Sequence, residues 1–459
     1  MSPTVAAAGL ARALAAIAGE AYATEDPART TSFAIDEVVP RAAVEPGSAA
    51  EVAAVLQYAH ARKLVVAPAG GFTHQHTGGI PERVDILLRT ERLKAVEHYD
   101  PGDMMIGVGV GTTVAEVERK IGPHQQILPL ETAQPERSTI GGALATATHG
   151  PLKHAYGGLR DYCTGVRFVT ADGKIAKAGA KVVKNVAGYD LMKLLIGSYG
   201  TMAVITGASF KLFPRPPQMR TFVAQFARLA EAMTFRDHVL GSPLTPVCLE
   251  LVSPHAQAIV AESFHPVSPN SGETRVGPPG ETWRVLVRAA GSDRVLARYR
   301  AELGAAAAAS EMGGDDEAQM WRSVAEFPHT LFERSRNAML LRVDVALQDV
   351  APMLEAAERA ALDNSFLCAA TGRIGVGSLL VGFAPIAVDP PSAMQYVNAV
   401  SYLRSMTPRD GSAIVLRCPL EAKRYFNVWG STPNDIGTMK ALKRAFDGED
   451  ILNRGRFLF

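Results

Sequence analysis

The sequence predicts a protein of mixed α and β structure in two or three domains, and three observations predict it. At 459 residues the chain is too long for one ordinary domain. Its hydrophobic share of 47% is enough to bury large cores. Short apolar strands alternate with helical segments as far as about Pro216, which points to an α+β or α/β domain, and the composition then changes.

The elements follow in order. The alanine-rich start, "MSPTVAAAGLARALAAIAGEAYATEDPART", lacks the positive region of an export signal and carries Arg12 inside its apolar run, so it reads as an amphipathic helix. Ser48 is placed to cap a helix whose periodicity covers Ala50 to Ala61. A strand in "LVVAP" runs into the turn "AGGFTHQHTGG", and "VDILLRT" and "DMMIGVGVG" alternate as strands do. Thr112 or Thr113 caps the helix "TTVAEVERKIG".

After "FKLFPRPP" come longer helices, notably "DRVLARYRAELGAAAAAS", and the strands "WRVLVRAAG" and "LLRVDVAL". They form a second domain, with "SFHPVSPNSGETRVGPPGET" expected as an exposed, mobile loop. The tail "MKALKRAFDGEDILNRGRFLF" is a basic helix, an acidic turn and a closing arm. The expected divisions are 1–38, a helical segment; 39–217, the first domain; 218–413, the second; and 414–459, a C-terminal segment.

Composition narrows the function classes. A net charge of +1, with no basic run interleaved with aromatics, argues against a nucleic-acid partner. Cys163, Cys248, Cys368 and Cys418 are far apart and form no CxxC pair, which argues against structural zinc, a self-held iron–sulfur cluster or a disulfide framework. That usage suits a reducing cytoplasm. No run reaches the ~18 apolar residues that span a bilayer, so any membrane contact is expected to be indirect, through partners.

Several stretches can carry chemistry. Gly70 and Gly71 follow a strand and precede Thr73; such a turn lets backbone N–H groups converge on an anion, and a plain tight turn explains it equally. His74 and His76 read as solvated loop residues, since no third metal ligand accompanies them. "GVGVGTTVAEVE" fails as a dinucleotide fingerprint, because Thr112 falls where the third glycine belongs. In "STIGGALATATHG", Ser138, Thr139, Thr146 and Thr148 offer hydroxyls while Gly141, Gly142 and the alanines leave little side-chain bulk. A flat ring or a phosphate chain can lie against such a backbone, which favours a site over a merely close-packed helix start. "KNVAGYDLMKLLIGS" reads as support, with Asp190 capping a short helix and Gly197 and Gly200 ending it. Only backbone near Val204 and Ile205 is expected to touch a ligand there.

In that order these pieces resemble the PCMH-type flavoprotein domain of the vanillyl-alcohol oxidase superfamily. "STIGGALATATHG", "YGGLRDY", "KVVKNVAGYDLMKLLIGSYGTMAVIT" and "FKLFPRP" look most like the branch holding glycolate oxidase subunits and D-lactate dehydrogenases. "VLRCPLEAKRYFNVWG" and "MKALKRAFDGEDILNRGRF" are similar to the E subunit type of bacterial glycolate oxidase. The resemblance implies an α+β fold: an FAD-binding domain of two α+β subdomains, an α+β cap domain and a C-terminal arm.

It further implies that Gly70, Gly71, Phe72 and Thr73 form a pyrophosphate loop. Pro129, Leu130, Ser138, Thr139, Gly141, Gly142, Thr146, Thr148 and Gly150 would line the diphosphate and flavin, and Val204 and Ile205 would meet the cofactor through backbone. Members with histidine-linked FAD carry that histidine within the loop, where this chain has Phe72, which implies non-covalent binding. In "CAATGRIGVGSLLVGF" the glycine rhythm of the related His-x-Gly-Asp-Gly-Asn-x-His stretch persists without its histidines and acid. No general base is therefore assigned, and Arg373 and Arg417 are noted as possible carboxylate partners.

The expected function is a redox flavoprotein subunit of a glycolate oxidase-like complex. It would work with a paralogous flavoprotein and an iron–sulfur protein in oxidising a small 2-hydroxy acid, glycolate to glyoxylate, with electron transfer onward. A stand-alone FAD-dependent 2-hydroxy acid or alcohol dehydrogenase, and an assembly subunit that has lost FAD, are the alternatives.

Overall fold

A computed structural model describes residues 9–179, 190–262, 280–387 and 389–459. The stretch "KVVKNVAGY", part of the expected support, and most of the loop expected after Ser263 lie outside the described residues. The chain divides into two compact units: Met1–His149 with Gly158–Arg215 and Ser431–Phe459, and Gly150–Gly157 with Pro216–Gly430. The expected border at 413/414 falls within the strand Ser412–Arg417, which pairs with Met339–Asp344 in the second unit's sheet.

The first unit holds two principal sheets. In the four-stranded one, Ile86–Arg89 lies between Ala42–Val44 and Val66–Ala69, parallel to both, and Ala23–Thr24 pairs antiparallel at the far edge. Helix Ala49–Arg62 makes the crossover that parallel strands require. The Ser48 hydroxyl accepts from the Glu51 N–H at 3.2 Å, and the Glu51 carboxylate accepts from the Gly47 N–H at 2.9 Å. Val52, Val55, Leu56 and Ala59 recur at helical spacing and are the buried face.

The five-stranded sheet is antiparallel, ordered Val96–Asp100, Met105–Gly109, Ala203–Lys211, Cys163–Thr170, Ile175–Gly179. Its central strand is buried at every residue but Lys211. Thr113, not Thr112, caps the helix Val114–Ile121, exchanging bonds with Glu116. Asp190 accepts from the Lys193 N–H at 3.4 Å and caps the five-residue helix Leu191–Leu195.

The tail completes this unit. After helix Ile436–Phe446 the chain runs beside Val66, whose N–H donates to the Ile451 carbonyl at 2.7 Å and whose carbonyl accepts from the Asn453 N–H at 2.9 Å. One buried knot fixes the turn between them. Lys443 Nζ donates to Asp447 at 2.5 Å, to the Thr201 carbonyl at 2.9 Å and to the Leu452 carbonyl at 3.2 Å. Asp447 in turn accepts from the Ile451 and Leu452 N–H groups at 3.0 and 2.7 Å.

The second unit is built on one eight-stranded antiparallel sheet with helices on both faces. Along Trp283–Ala290 alternation sends Val285 and Val287 into one core and Leu286 into the other. Arg288 and Glu317 form a buried bidentate pair at 2.7 and 3.1 Å, and the Thr221 hydroxyl donates to the same carboxylate while accepting from Trp321 Nε1. Both units mix helices with largely antiparallel sheet, so the fold class is α+β.

Candidate functional site

The first unit contains two adjoining crevices that open to solvent. Pro68, Ala69, Gly70, Gly142, Ala145 and Tyr199 line both, so the two run together. One wall is the loop that leaves strand Val66–Ala69; the other is the start of helix Ile140–Thr146.

These walls approach backbone to backbone. A Cβ added at Gly71 would run into the Arg137 carbonyl, one at Gly70 into the Thr139 hydroxyl, and one at Gly141 would come within 2.9 Å of the Val110 Cβ. Glycine is required here for space, not for conformation. Among the described residues none accepts a hydrogen bond from the N–H groups of Gly70, Gly71, Phe72 or Thr73. A run of unpaired N–H groups beside a cleft is a binding surface for an anion, because leaving such groups unmet costs free energy.

Phe72 departs from the expected loop chemistry. It holds φ at +60°, a region unfavourable for a bulky residue. Its ring stacks on Phe33 with centroids 5.6 Å apart, and the Arg89 guanidinium lies 4.8 Å from the Phe33 ring and 6.0 Å from that of Phe72. The stack offsets the backbone strain and anchors the loop's outer side.

The opposite wall is held by its own residues. Thr139 caps the helix, accepting from the Gly142 N–H at 3.2 Å. The Thr146 hydroxyl donates to the Gly142 carbonyl at 2.8 Å and lies 2.6 Å from that of Thr148. Thr148 reaches across to His74 Nε2 at 3.3 Å.

His74 corrects the expectation of a solvated histidine. Burial pulls its pKa down from 6.5 to about 4, so it is neutral at physiological pH. His76 is exposed and lies 3.8 Å from Asp36.

The sequence-predicted residues fall into two groups. Gly70, Gly71, Phe72, Thr73, Thr139, Gly142 and Thr146 line the first crevice, and Gly141, Val204 and Ile205 line the second. Pro129, Leu130, Ser138 and Thr148 line neither. Leu130 packs in the core, and the Pro129 carbonyl accepts from the Tyr162 hydroxyl at 3.2 Å. Ser138 is buried, donating to the Ala133 carbonyl at 2.7 Å, with the Thr73 hydroxyl 3.2 Å away; it braces the loop. Gly150 belongs to the second unit.

Sequence reasoning missed Tyr199, Asn453 and Arg456, which also line the first crevice. Asn453 Nδ2 donates to the Tyr199 carbonyl at 2.7 Å. The string "DILNRGRF" marked the tail as an arm, but no local pattern tied it to a loop near residue 75.

In the second unit, the glycine-rich stretch forms the hairpin of strands Phe366–Arg373 and Ser378–Pro385. Arg373 is buried there, in register with Glu250 on the next strand. The Arg417 guanidinium lies 4.0 Å over the Phe332 ring.

Comparison with known proteins agrees with this geometry. The family described as FAD binding domain matches residues 40–179, and the family of FAD linked oxidases, C-terminal domain, matches residues 215–401. A D-lactate dehydrogenase of Archaeoglobus fulgidus is 33% identical over 54% of this chain and 55% of its own length. The glycolate oxidase subunit GlcD of Bacillus subtilis is 24% identical over 91% of the chain and 89% of that protein. The glycolate oxidase subunit GlcE of Escherichia coli is 40% identical over 27% of the chain and 35% of that subunit. The aligned spans thus cover about half of the archaeal dehydrogenase and about a third of GlcE. In fold the chain is similar to p-cresol methylhydroxylase with substrate bound, at a TM-score of 0.75 and 15% identity over 98% and 96% of the two chains. No helix among the described residues is long and apolar enough to cross a membrane.

Proposed function

We propose that the chain, whose residues 40–179 match the FAD binding domain family and whose residues 215–401 match the C-terminal domain of FAD linked oxidases, is an FAD-binding oxidoreductase subunit of a glycolate oxidase-like complex. Its substrate class is a small 2-hydroxy acid, glycolate above all. Its partners are a paralogous flavoprotein subunit and an iron–sulfur subunit. Any association with a membrane runs through those partners.

The observation that carries this reading is the joined crevice, where the loop Gly70 to Thr73, whose N–H groups have no acceptor among the described residues, lies opposite a wall without side chains at Gly141 and Gly142. These residues fit a dinucleotide. The loop N–H groups would hold the diphosphate, and backbone at Val204 and Ile205 would border the far end of the crevice. Neutral His74 adds no charge there and keeps Thr148 in place. When bound, FAD supplies the hydride-accepting centre that amino-acid side chains lack. Phe72 stands where an attaching histidine would, so the cofactor is held without a covalent bond.

Similarity to the D-lactate dehydrogenase of Archaeoglobus fulgidus favours a second reading, a self-sufficient 2-hydroxy acid dehydrogenase. One experiment separates the two. The purified chain is examined for flavin absorbance, then for dye reduction by glycolate and D-lactate, alone and with the two partner subunits. Flavin without activity until the partners are added is the expected result. Turnover by the isolated chain selects the second reading, and the absence of flavin after reconstitution with FAD defeats both.

A further inference from the structure

Among the described residues lining the first crevice, Arg456 alone carries a formal charge at neutral pH, and it comes from the tail. It is 4% exposed. Its guanidinium donates to the carbonyls of Gln75 at 2.6 Å and Gly79 at 2.9 Å, donates also to that of Thr77, and pairs with buried Asp36 at 3.2 Å. The grip is mutual, since the Arg456 carbonyl accepts from the Gly79 N–H at 3.0 Å and the Arg454 carbonyl from the Glu82 N–H at 3.3 Å. There is no slack at the contact: a Cβ at Gly79 would collide with the Gly455 carbonyl.

Three carbonyl oxygens and a carboxylate beside a cleft make a poor setting for an anion. A guanidinium, with its planar fork of donors, collects all four groups and cancels their negative potential. By drawing the carbonyls at 75, 77 and 79 to one side, it also fixes the far half of the loop whose near half presents the unpaired N–H groups. Without it, Asp36 would remain as a buried negative charge next to the crevice.

Resting on the FAD-binding reading above, we infer that Arg456 is a positioning residue for the diphosphate of the cofactor, so that the C-terminal arm sets the affinity of a loop made at the other end of the chain. The effect acts on the diphosphate and therefore applies equally to any ligand that carries one.

The test uses the full chain stripped of cofactor, titrated calorimetrically with FAD and with ADP, alongside thermal unfolding of the apoprotein. Arg456→Met is expected to raise the Kd of FAD and of ADP by the same factor, more than tenfold, with the apoprotein still folded. Arg456→Lys keeps the charge but not the fork, and is expected to fall between Arg456→Met and the parent for both ligands. FAD affinity unchanged in Arg456→Met, or weakened for FAD while ADP is unaffected, overturns the inference. If Arg456→Met does not fold, Arg456→Lys decides, and parental affinity for both ligands in that variant overturns it. Failure of the parent itself to bind FAD would count against the proposed function instead.

Discussion

The two walls of the crevice are held in opposite ways. The helix wall supports itself: Thr139 caps it, and Thr146 bonds back to Gly142 within the same seven-residue helix and its cap. The loop wall has almost no bonds of its own and is held from outside, by the Phe33 stack on one side and by the tail on the other. A wall that must keep its N–H groups free for a ligand cannot spend them on its own stability. The difference shows how a binding loop is made rigid without being saturated.

The largest effect is expected where the outside support is anchored. Asp447→Ala leaves the buried Lys443 with only the exposed Asp450 carboxylate, 3.0 Å away, and frees the buried Ile451 and Leu452 N–H groups. Denaturant unfolding should show a loss of about 3–5 kcal/mol, with FAD affinity falling as well. A stable variant with weakened FAD binding would mean that the knot serves the loop alone. Gly71→Ala forces the walls apart at the Arg137 carbonyl. About 2–3 kcal/mol of destabilisation is expected from that overlap, together with loss of flavin from the purified protein.

Smaller effects sharpen the contrast. Thr139→Ala removes one cap from the self-supporting wall and should cost about 1 kcal/mol in thermal unfolding. A much larger cost would show that this wall leans on its neighbour after all. His74 titrates near 4 when folded and near 6.5 when unfolded, so the unfolded chain binds more protons between those values. Stability is then fully present above pH 6.5 and falls as the pH drops toward 4. In His74→Gln this part of the pH dependence should vanish from a series of unfolding curves. Phe72→Gly relieves a strain of about 1 kcal/mol but loses a stack of about the same worth. Its unfolding midpoint should hardly move.

Much of this was legible in the sequence because the signals were local. Ser48 caps its helix as expected, and of the two threonines offered for the next helix Thr113 is the cap, each hydroxyl accepting from the N–H three residues on. Small residues at Gly141, Gly142 and Ala145 announced a surface that something must approach closely. What local pattern could not carry was the partner of each surface. Arg456 meets Gly79 across 377 residues of sequence, and no periodicity reports such a contact. His74 looked solvated because its burial is set by Thr148 and the opposite wall. Leu130 was expected beside the cofactor through the resemblance alone, and its side chain packs in the core.

Because the stretch from Ser431 to Phe459 belongs to the first unit, that unit is interrupted in synthesis by the whole of Pro216–Gly430. On the ribosome, strand Val66–Ala69 waits with an uncovered edge until Ile451 to Asn453 emerge. A chain lacking residues 451–456 is therefore expected to leave the binding loop unsupported and to lose its hold on flavin.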